Sequence, residues 1–399
     1  MTASATQIHT LDDALKAVAQ VGPVAREHAQ KSEDGRQLAP EVVNAITDSG
    51  LWGVFAPQTA GGSGLGSFNE VTEIVKALAY EDTSAAWGLF ICGGGAAIFA
   101  SRLSEAGRQE VYHDGCVPVA GVFSPGGSAT RTDAGGVTVS GRWPFASGIT
   151  YARWVLGNAI LVGPDGAPQP GMNGLPAIVG IVVPADEVTI VDDWHVAGLR
   201  GTGSMSFTLE NHVVPADRVI DFFGPPSIEE AKYRVPIMTM VGPYFAAIAI
   251  GVAQRAIDEV KALLPTRVGP PTFQPASTEA MNQVALARAM AAVRAAAEST
   301  RSIFDRYDAR VSAGEDLMAL TLADRAEIHH HVVWVAETCQ AAVNEMFRLG
   351  GASSIYEPNL LQRAWRDINV LNQHAYLRNT MHRIAGEIAL GFEPVAPLL

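Results

Sequence analysis

Gly141-Arg142-Trp143-Pro144-Phe145-Ala146-Ser147-Gly148, answered far downstream by Arg363-Ala364-Trp365-Arg366-Asp367 and then Asn372-Gln373-His374, is the pair of segments on which the reading of this chain turns. The first follows a Val-rich run and reads as a strand end that delivers Ser147 onto a glycine-flanked turn. The second reads as a helix bearing a basic cluster and then a histidine, with a final helix running from Asp367 to Leu390. Each has an ordinary meaning alone. A turn serine satisfies its own backbone, a histidine on a helical stretch packs, and Arg363, Arg366 and Asp367 make a salt-bridged face. Their joint occurrence, in this order, is what carries information.

Outward from the first segment the chain is built in three blocks, 1–115, 116–225 and 226–399. In the first, Leu11, Leu15, Val18 and Val21 recur at helical spacing, as do Val71, Ile74, Val75 and Leu78. Pro57 to Gly66 is a glycine-rich loop, and the Thr83-Ser84 pair is placed to cap the helix through Trp87 and Ile91. From Cys116 to about Phe222, short Val-rich runs alternate with Gly, Pro and Asp, which predicts a compact antiparallel sheet or barrel. Residues 161–175 form an exposed connection within it. Helix returns after Pro236. A Pro-rich loop, Pro265 to Pro275, precedes two long helices at about 278–312 and 318–349, whose alanine stripes suit close packing in a four-helix bundle. Helices, then strands, then helices argue an α+β fold rather than a doubly wound sheet.

Composition removes several function classes. The net charge of −13 repels phosphate backbones, so nucleic-acid binding is not expected. None of Lys16, Lys31, Lys76, Lys232 and Lys261 sits in a Walker loop. Neither Gly61–Gly66 nor Gly198–Ser204 fits G-x-G-x-x-G, and no G-x-S-x-G nucleophile elbow occurs. The run His329-His330-His331 points in three directions on a helix, about 100° apart, so no metal site is expected there. Cys92, Cys116 and Cys339 lack redox or metal spacing and read as buried thiols of a reducing compartment. The N-terminus is polar and then amphipathic, and the longest apolar stretch, Tyr244 to Ala253, is short for a bilayer; a cytoplasmic protein with no membrane association is expected. With 48% hydrophobic and only 17% charged residues, some apolar helix faces are expected to be covered by other subunits.

The order of blocks resembles the acyl-CoA dehydrogenase superfamily across nearly the whole chain. Leu51-Trp52-Gly53 through Gly64 resembles its first inter-helix loop. Ser140–Gly148 with Ala152-Arg153-Trp154 resembles the flavin-facing strand pair, and Gly198–Ser204 with Val213-Val214-Pro215 the later barrel strands. Within that superfamily, Gly350–Tyr356, Leu361-Gln362-Arg363, Arg366-Asp367 and Gln373-His374 resemble the two-component aromatic hydroxylase branch; the glutamate-Gly-Thr segment of the dehydrogenases is not visible. The resemblance implies an N-terminal helical domain, a central β-barrel-like domain and a C-terminal four-helix bundle. It implies a homotetramer that takes reduced FMN or reduced FAD from a separate NAD(P)H:flavin reductase, forms a flavin C4a-hydroperoxide with O₂, and oxygenates an aromatic or polycyclic small molecule.

Carried over position by position, Ser147 matches the serine near flavin N5 and His374 the histidine near the reacting oxygen, the two catalytic candidates. Trp143 falls on the flavin wall, and Arg267, Ser353 and Ser354 where the branch holds the flavin phosphate. Trp87, Gly95, Ser124 and Tyr244 fall along the substrate pocket. At Gly95 several phenol-hydroxylating members carry a histidine, so glycine here is expected to open space and to remove a hydrogen-bond partner. The chemistry suits these residue types. A serine hydroxyl both donates and accepts, and an imidazole with an ordinary pKa of ~6.5 serves acid–base work near neutrality. Oxygenation of nitrogen or sulfur on the same scaffold, a true acyl-CoA dehydrogenase with a displaced base, and a catalytically silent assembly protein remain as alternatives.

Overall fold

A computed structural model describes residues 8–171, 174–269 and 273–394. Parts of the two expected loops, 172–173 and 270–272, lie outside the described residues. The first helices are α1 (Leu11–Glu27), α2 (Ala29–Gly35), α3 (Pro40–Ser49) and α4 (Phe68–Glu81). Capping boxes fix two of their starts, Thr10 with Asp13 and Ser67 with Glu70, each side chain serving the other's backbone N–H. Next come α5 (Thr83–Gly88), a π-helical turn at Leu89–Gly94, α6 (Gly95–Arg102) and α7 (Glu105–Tyr112). The cap of α5 is Asp82, whose carboxylate accepts from Ala85 N, and not the expected Thr83-Ser84 pair, which already lies inside the helix. A carboxylate at that position also opposes the positive end of the helix dipole.

The strand block is one seven-stranded sheet in the order β5-β6-β2-β1-β3-β4-β7. The strands are β1 (Val119–Arg131), β2 (Val137–Trp143), β3 (Trp154–Leu161), β4 (Ile178–Pro184), β5 (Thr189–Val191), β6 (Ser206–Val214) and β7 (Val219–Ile220). The expectation of antiparallel pairing is corrected at one ladder, since β1 and β3 run parallel. The reason is the crossing made by Pro144–Arg153. It carries the chain from β2 past β1, so β3 pairs on the far side of β1 and in its direction. Register shifts between Val122 and Gly127 mark a bulge in β1.

Helix resumes with α8 (Ile237–Met240), α9 (Gly242–Leu263), α10 (Ala280–Ser312), α11 (Leu322–Gly350), α12 (Leu360–Leu371) and α13 (Thr380–Ala389). Helices α9 to α12 pack on one another, and α4 packs along α9. One apolar core therefore runs through both helical blocks, while the sheet keeps a second core around Trp143, Phe207 and Leu209. Two expectations change here. The helix expected from Asp367 to Leu390 is broken into α12 and α13, and His374 lies in the break, capping a short turn at Ala375–Leu377. The apolar Tyr244–Ala253 stretch belongs to a helical segment of 27 residues, Ile237–Leu263, long and apolar enough to cross a membrane by length and composition; 83% of its most apolar window is buried inside the protein.

Candidate active site

Ser147 reaches its position through two unusual backbone conformations. Phe145 has φ of 67° and Gly148 φ of 77°. A Cβ on Gly148 would lie 2.5 Å from Cys92 Sγ, so glycine is required there on both counts. Phe145 has no such licence, and a bulky residue at positive φ stores strain of roughly 1–3 kcal/mol. Its ring is left 67% exposed, edge-on to Trp194. The turn is pinned by Ala146 N to Met205 O and Gly148 N to Thr202 O, which tie it to the Gly198–Ser204 loop.

The Ser147 hydroxyl is buried and lies in a row of polar groups. Trp87 Nε1 donates to Ser147 Oγ at 2.9 Å; Ser147 Oγ and Ser204 Oγ are 2.6 Å apart; Ser204 Oγ and Thr202 Oγ1 are 2.7 Å apart; Thr202 Oγ1 donates to Leu199 O at 2.9 Å. Leu199 itself has φ of 52°, and its N–H is held by Asp367 Oδ1 at 2.6 Å. Asp367 is thus no member of a salt-bridged surface face. It is 1% exposed, and burial pushes its carboxyl up to about 7, with Glu33 and Asp82 nearby adding to the shift and Arg366 opposing it. The Arg366 guanidinium pairs instead with Glu33 at 2.8 Å.

His374 meets the same cluster from the C-terminal side. Its ring centroid lies 5.7 Å from that of Trp87 and 4.8 Å from that of Phe245. Nδ1 accepts from Tyr376 N at 3.1 Å, so the neutral ring carries its proton on Nε2. Among the described residues Nε2 has no partner, and the residue is exposed, so this N–H is open to solvent or a ligand. Dense protein around the ring pushes its pKa down to about 4, and the imidazole is neutral at pH 7. Behind it, His329 Nε2 donates to Tyr376 O at 2.7 Å and the His329 ring stacks on Tyr376 at 3.7 Å. The three adjacent histidines do diverge: His330 faces His382, and His331 faces Thr300.

The apolar wall continues from Trp87 through Phe90, which stacks on Tyr244 with centroids 4.5 Å apart. Ser147, Trp87, His374 and Tyr244 are therefore brought together, joined by Phe90 and Phe245. Gly95 lies one helical turn past Ile91 on the only partly accessible face of that segment. A Cβ there would meet Val119 Cγ2 at 3.0 Å, so a larger side chain would need Val119 to shift. Ser124 is exposed at the β1 bulge. A cavity of about 330 Å³ opens on the other side of Tyr244, between Phe55, Tyr233 and Asp308, and neither Ser147 nor His374 lines it.

The remaining candidates divide. Arg267 donates to Leu349 O at the end of α11, beside Gly351, and Ser353 is exposed on the same turn. Ser354 sits with them but is 0% exposed, its hydroxyl without a partner and pressed against Gly350, so within this chain it is closed to a ligand. Trp143 is corrected outright. Its indole is 0% exposed, stacked on Phe207 at 4.9 Å, with Nε1 donating to Asn158 O at 2.6 Å. It belongs to the sheet core and not to the wall of the site, because its face of β2 packs against Ala159, Phe207 and the other apolar strand residues. Sequence reading missed Ser204, Thr202 and Asp367 as site residues. The only local signal was hydroxyl residues set in the glycine-rich loop 198–204.

Residues 244–379 match the family described as "Acyl-CoA dehydrogenase, C-terminal domain". A pigment production hydroxylase of a Rhodococcus species is 27% identical over 389 residues, 94% of this chain and 96% of the relative. The FADH(2)-dependent resorcinol hydroxylase, oxygenase component, of a Rhizobium species is 27% identical over 396 residues, 94% of each chain. The solved structure of XiaF from a Streptomyces species, in complex with FADH2 and glycerol, superposes with a TM-score of 0.89 at 26% identity, covering 98% of both chains. The C-terminal part of this chain is thus similar to the acyl-CoA dehydrogenases, and the relatives it resembles over nearly its whole length are flavin-dependent hydroxylases and monooxygenases.

Proposed function

We propose that this protein is the oxygenase component of a two-component system, a monooxygenase that uses reduced FMN or FAD and O₂ to oxygenate an aromatic small molecule. The observation that carries the reading is the convergence of Ser147, Trp87 and His374 in one cluster, with related flavin-dependent hydroxylases matching nearly the whole chain. The residues fit a reduced flavin. Ser147 Oγ has one lone pair left for an N–H donor, the exposed ring of Phe145 offers a face for a flat heterocycle, and Arg267 with Ser353 supplies a cation and a hydroxyl for a phosphate. When bound, the flavin supplies the electrons that activate oxygen. The chain's own part is to hold that ring dry against Trp87, to accept its N–H at Ser147, and to present the Nε2–H of His374 to the substrate or the reacting oxygen.

Reduced flavin would come from a separate reductase, in a cytoplasmic setting in keeping with the unpaired thiols Cys92, Cys116 and Cys339. A polycyclic substrate suits the run of rings from Trp87 to Tyr244. The test is to mix the protein anaerobically with reduced flavin, add oxygenated buffer, and follow flavin re-oxidation. Re-oxidation well behind the protein-free rate is the expected result; the protein-free rate would remove the oxygenase reading.

A further inference from the structure

The row of hydroxyls behind Ser147 has a direction, and the direction is set at its two ends. Trp87 Nε1 can only donate, and Leu199 O can only accept. Thr202 Oγ1 has one proton, and it points to Leu199 O; turned the other way, two oxygens would face each other at 2.9 Å with no proton between them. Thr202 must then accept from Ser204, and Ser204 must accept from Ser147. The Ser147 proton is consumed inside the protein. What remains at Ser147 Oγ is a lone pair, an acceptor only.

We propose that Ser204 and Thr202 are positioning residues that fix Ser147 as an acceptor, and that the site thereby selects the reduced flavin over the oxidised one. The two forms differ at the ring nitrogen assigned to Ser147: reduced flavin presents an N–H there, and oxidised flavin a bare nitrogen. An acceptor-only hydroxyl bonds the first and opposes two lone pairs in the second. The end of the row is held firmly. Leu199 takes a left-handed backbone conformation, and Asp367, on α12 of the other core, anchors its N–H. The device suits an enzyme that must capture a diffusing reduced cofactor and let go of the spent one. It rests on the flavin reading given above.

The test is the affinity of the purified protein for reduced and for oxidised FMN, measured separately under anaerobic conditions, for the wild type, Ser204→Ala, Thr202→Val and Ser204→Thr. In Ser204→Ala the Ser147 hydroxyl loses its acceptor and turns outward. In Thr202→Val the row reverses, with Ser204 donating back to Ser147. Both variants are expected to narrow the preference for reduced flavin roughly 3- to 10-fold, about one net hydrogen bond, chiefly by gaining affinity for the oxidised form. A tenfold loss also moves the midpoint potential of the bound flavin down by about 30 mV. Ser204→Thr keeps the hydroxyl and should restore the preference. If the wild type discriminates and both hydroxyl-deleting variants discriminate equally well, the proposal is overturned. So it is if the wild type binds both forms alike. A wild type that binds neither form removes the flavin reading itself, a separable result.

Discussion

His374 offers its Nε2–H as a neutral donor, and that decides how the reaction should respond to acid. With Nδ1 committed to Tyr376 N and the pKa down at about 4, the ring does not ionise between pH 6 and 8. The oxygen-transfer rate should therefore show no step near pH 6.5 in single-turnover experiments, the point where a free histidine would titrate. His374→Ala should keep flavin affinity within a few-fold while slowing product formation by ~10² or more. Ser147→Ala acts differently, since it removes the acceptor beside the flavin. More oxygen should leave as H₂O₂ per reduced flavin consumed, read by a peroxide assay against product. Unchanged coupling in Ser147→Ala together with an unchanged rate in His374→Ala would remove both assignments. Trp143 makes the complementary point about reading single residues. An aromatic two positions from the site turn looks like a ligand wall, yet its N–H is spent on Asn158 O inside the sheet.

Helix α11 carries a stability term of the same origin. His329 is 4% exposed, and burial holds its pKa at about 4, below its ordinary value of 6.5. The unfolded chain therefore binds the proton more readily between pH 4 and 6.5. The stabilisation is fully present above pH 6.5 and is lost as pH falls toward 4. At about 1.4 kcal/mol per pH unit the ceiling is on the order of 3 kcal/mol. His329→Phe keeps the stacked ring on Tyr376 but gives up the bond to Tyr376 O. It should lose about 1 kcal/mol at pH 7.5 and recover relative to the wild type as pH is lowered, measured by urea unfolding at several pH values. A constant deficit across that range would show that His329 does not titrate with folding. The break between α12 and α13 belongs to this scale as well. α12 stops at Leu371, and His374 then caps the start of the Ala375–Leu377 turn by accepting from Tyr376 N.

Across the whole molecule, Asp367 couples the two cores. It stands on α12 in the shared helical core and holds the loop that supports Ser147 from the sheet side. Its folded pKa, about 7 against an ordinary 3.8, has the opposite sign to that of His329. The folded state keeps the proton through that window, so this term erodes stability as pH rises from about 4 to 7, by on the order of 4 kcal/mol at most. Asp367→Asn retains an acceptor for Leu199 N and drops the charge. Its stability relative to the wild type should climb with pH and level off above 7; a difference flat with pH would sink the assignment. Because the two terms oppose each other in one window, the variant difference is the informative quantity rather than the raw profile. Assembly is a prediction at this scale too. Met281, Ile355, Tyr356, Leu390 and Phe392 are each more than 60% exposed in the single chain. Such a surface is expected to be covered by further copies, and light scattering should give about four times 42.1 kDa. A monomeric mass would refute the tetramer.

The sequence by itself determined what depends on short-range pattern. Helical periods, the Val-rich strand runs and the glycine after Ser147 are all legible locally, because period and backbone conformation are local properties. So is the order of blocks, from which the α+β architecture follows. Tertiary structure alone decided which polar groups meet. Ser204 and Ser147 are 57 residues apart, Trp87 and Ser147 60, and Asp367 and Leu199 168. No spacing rule reaches that far. Those bonds exist because apolar packing of α12 and α5 against the Gly198–Ser204 loop leaves buried donors and acceptors that must find partners, or cost several kcal/mol each. Packing within the sheet likewise put Trp143 into its core, stacked on Phe207.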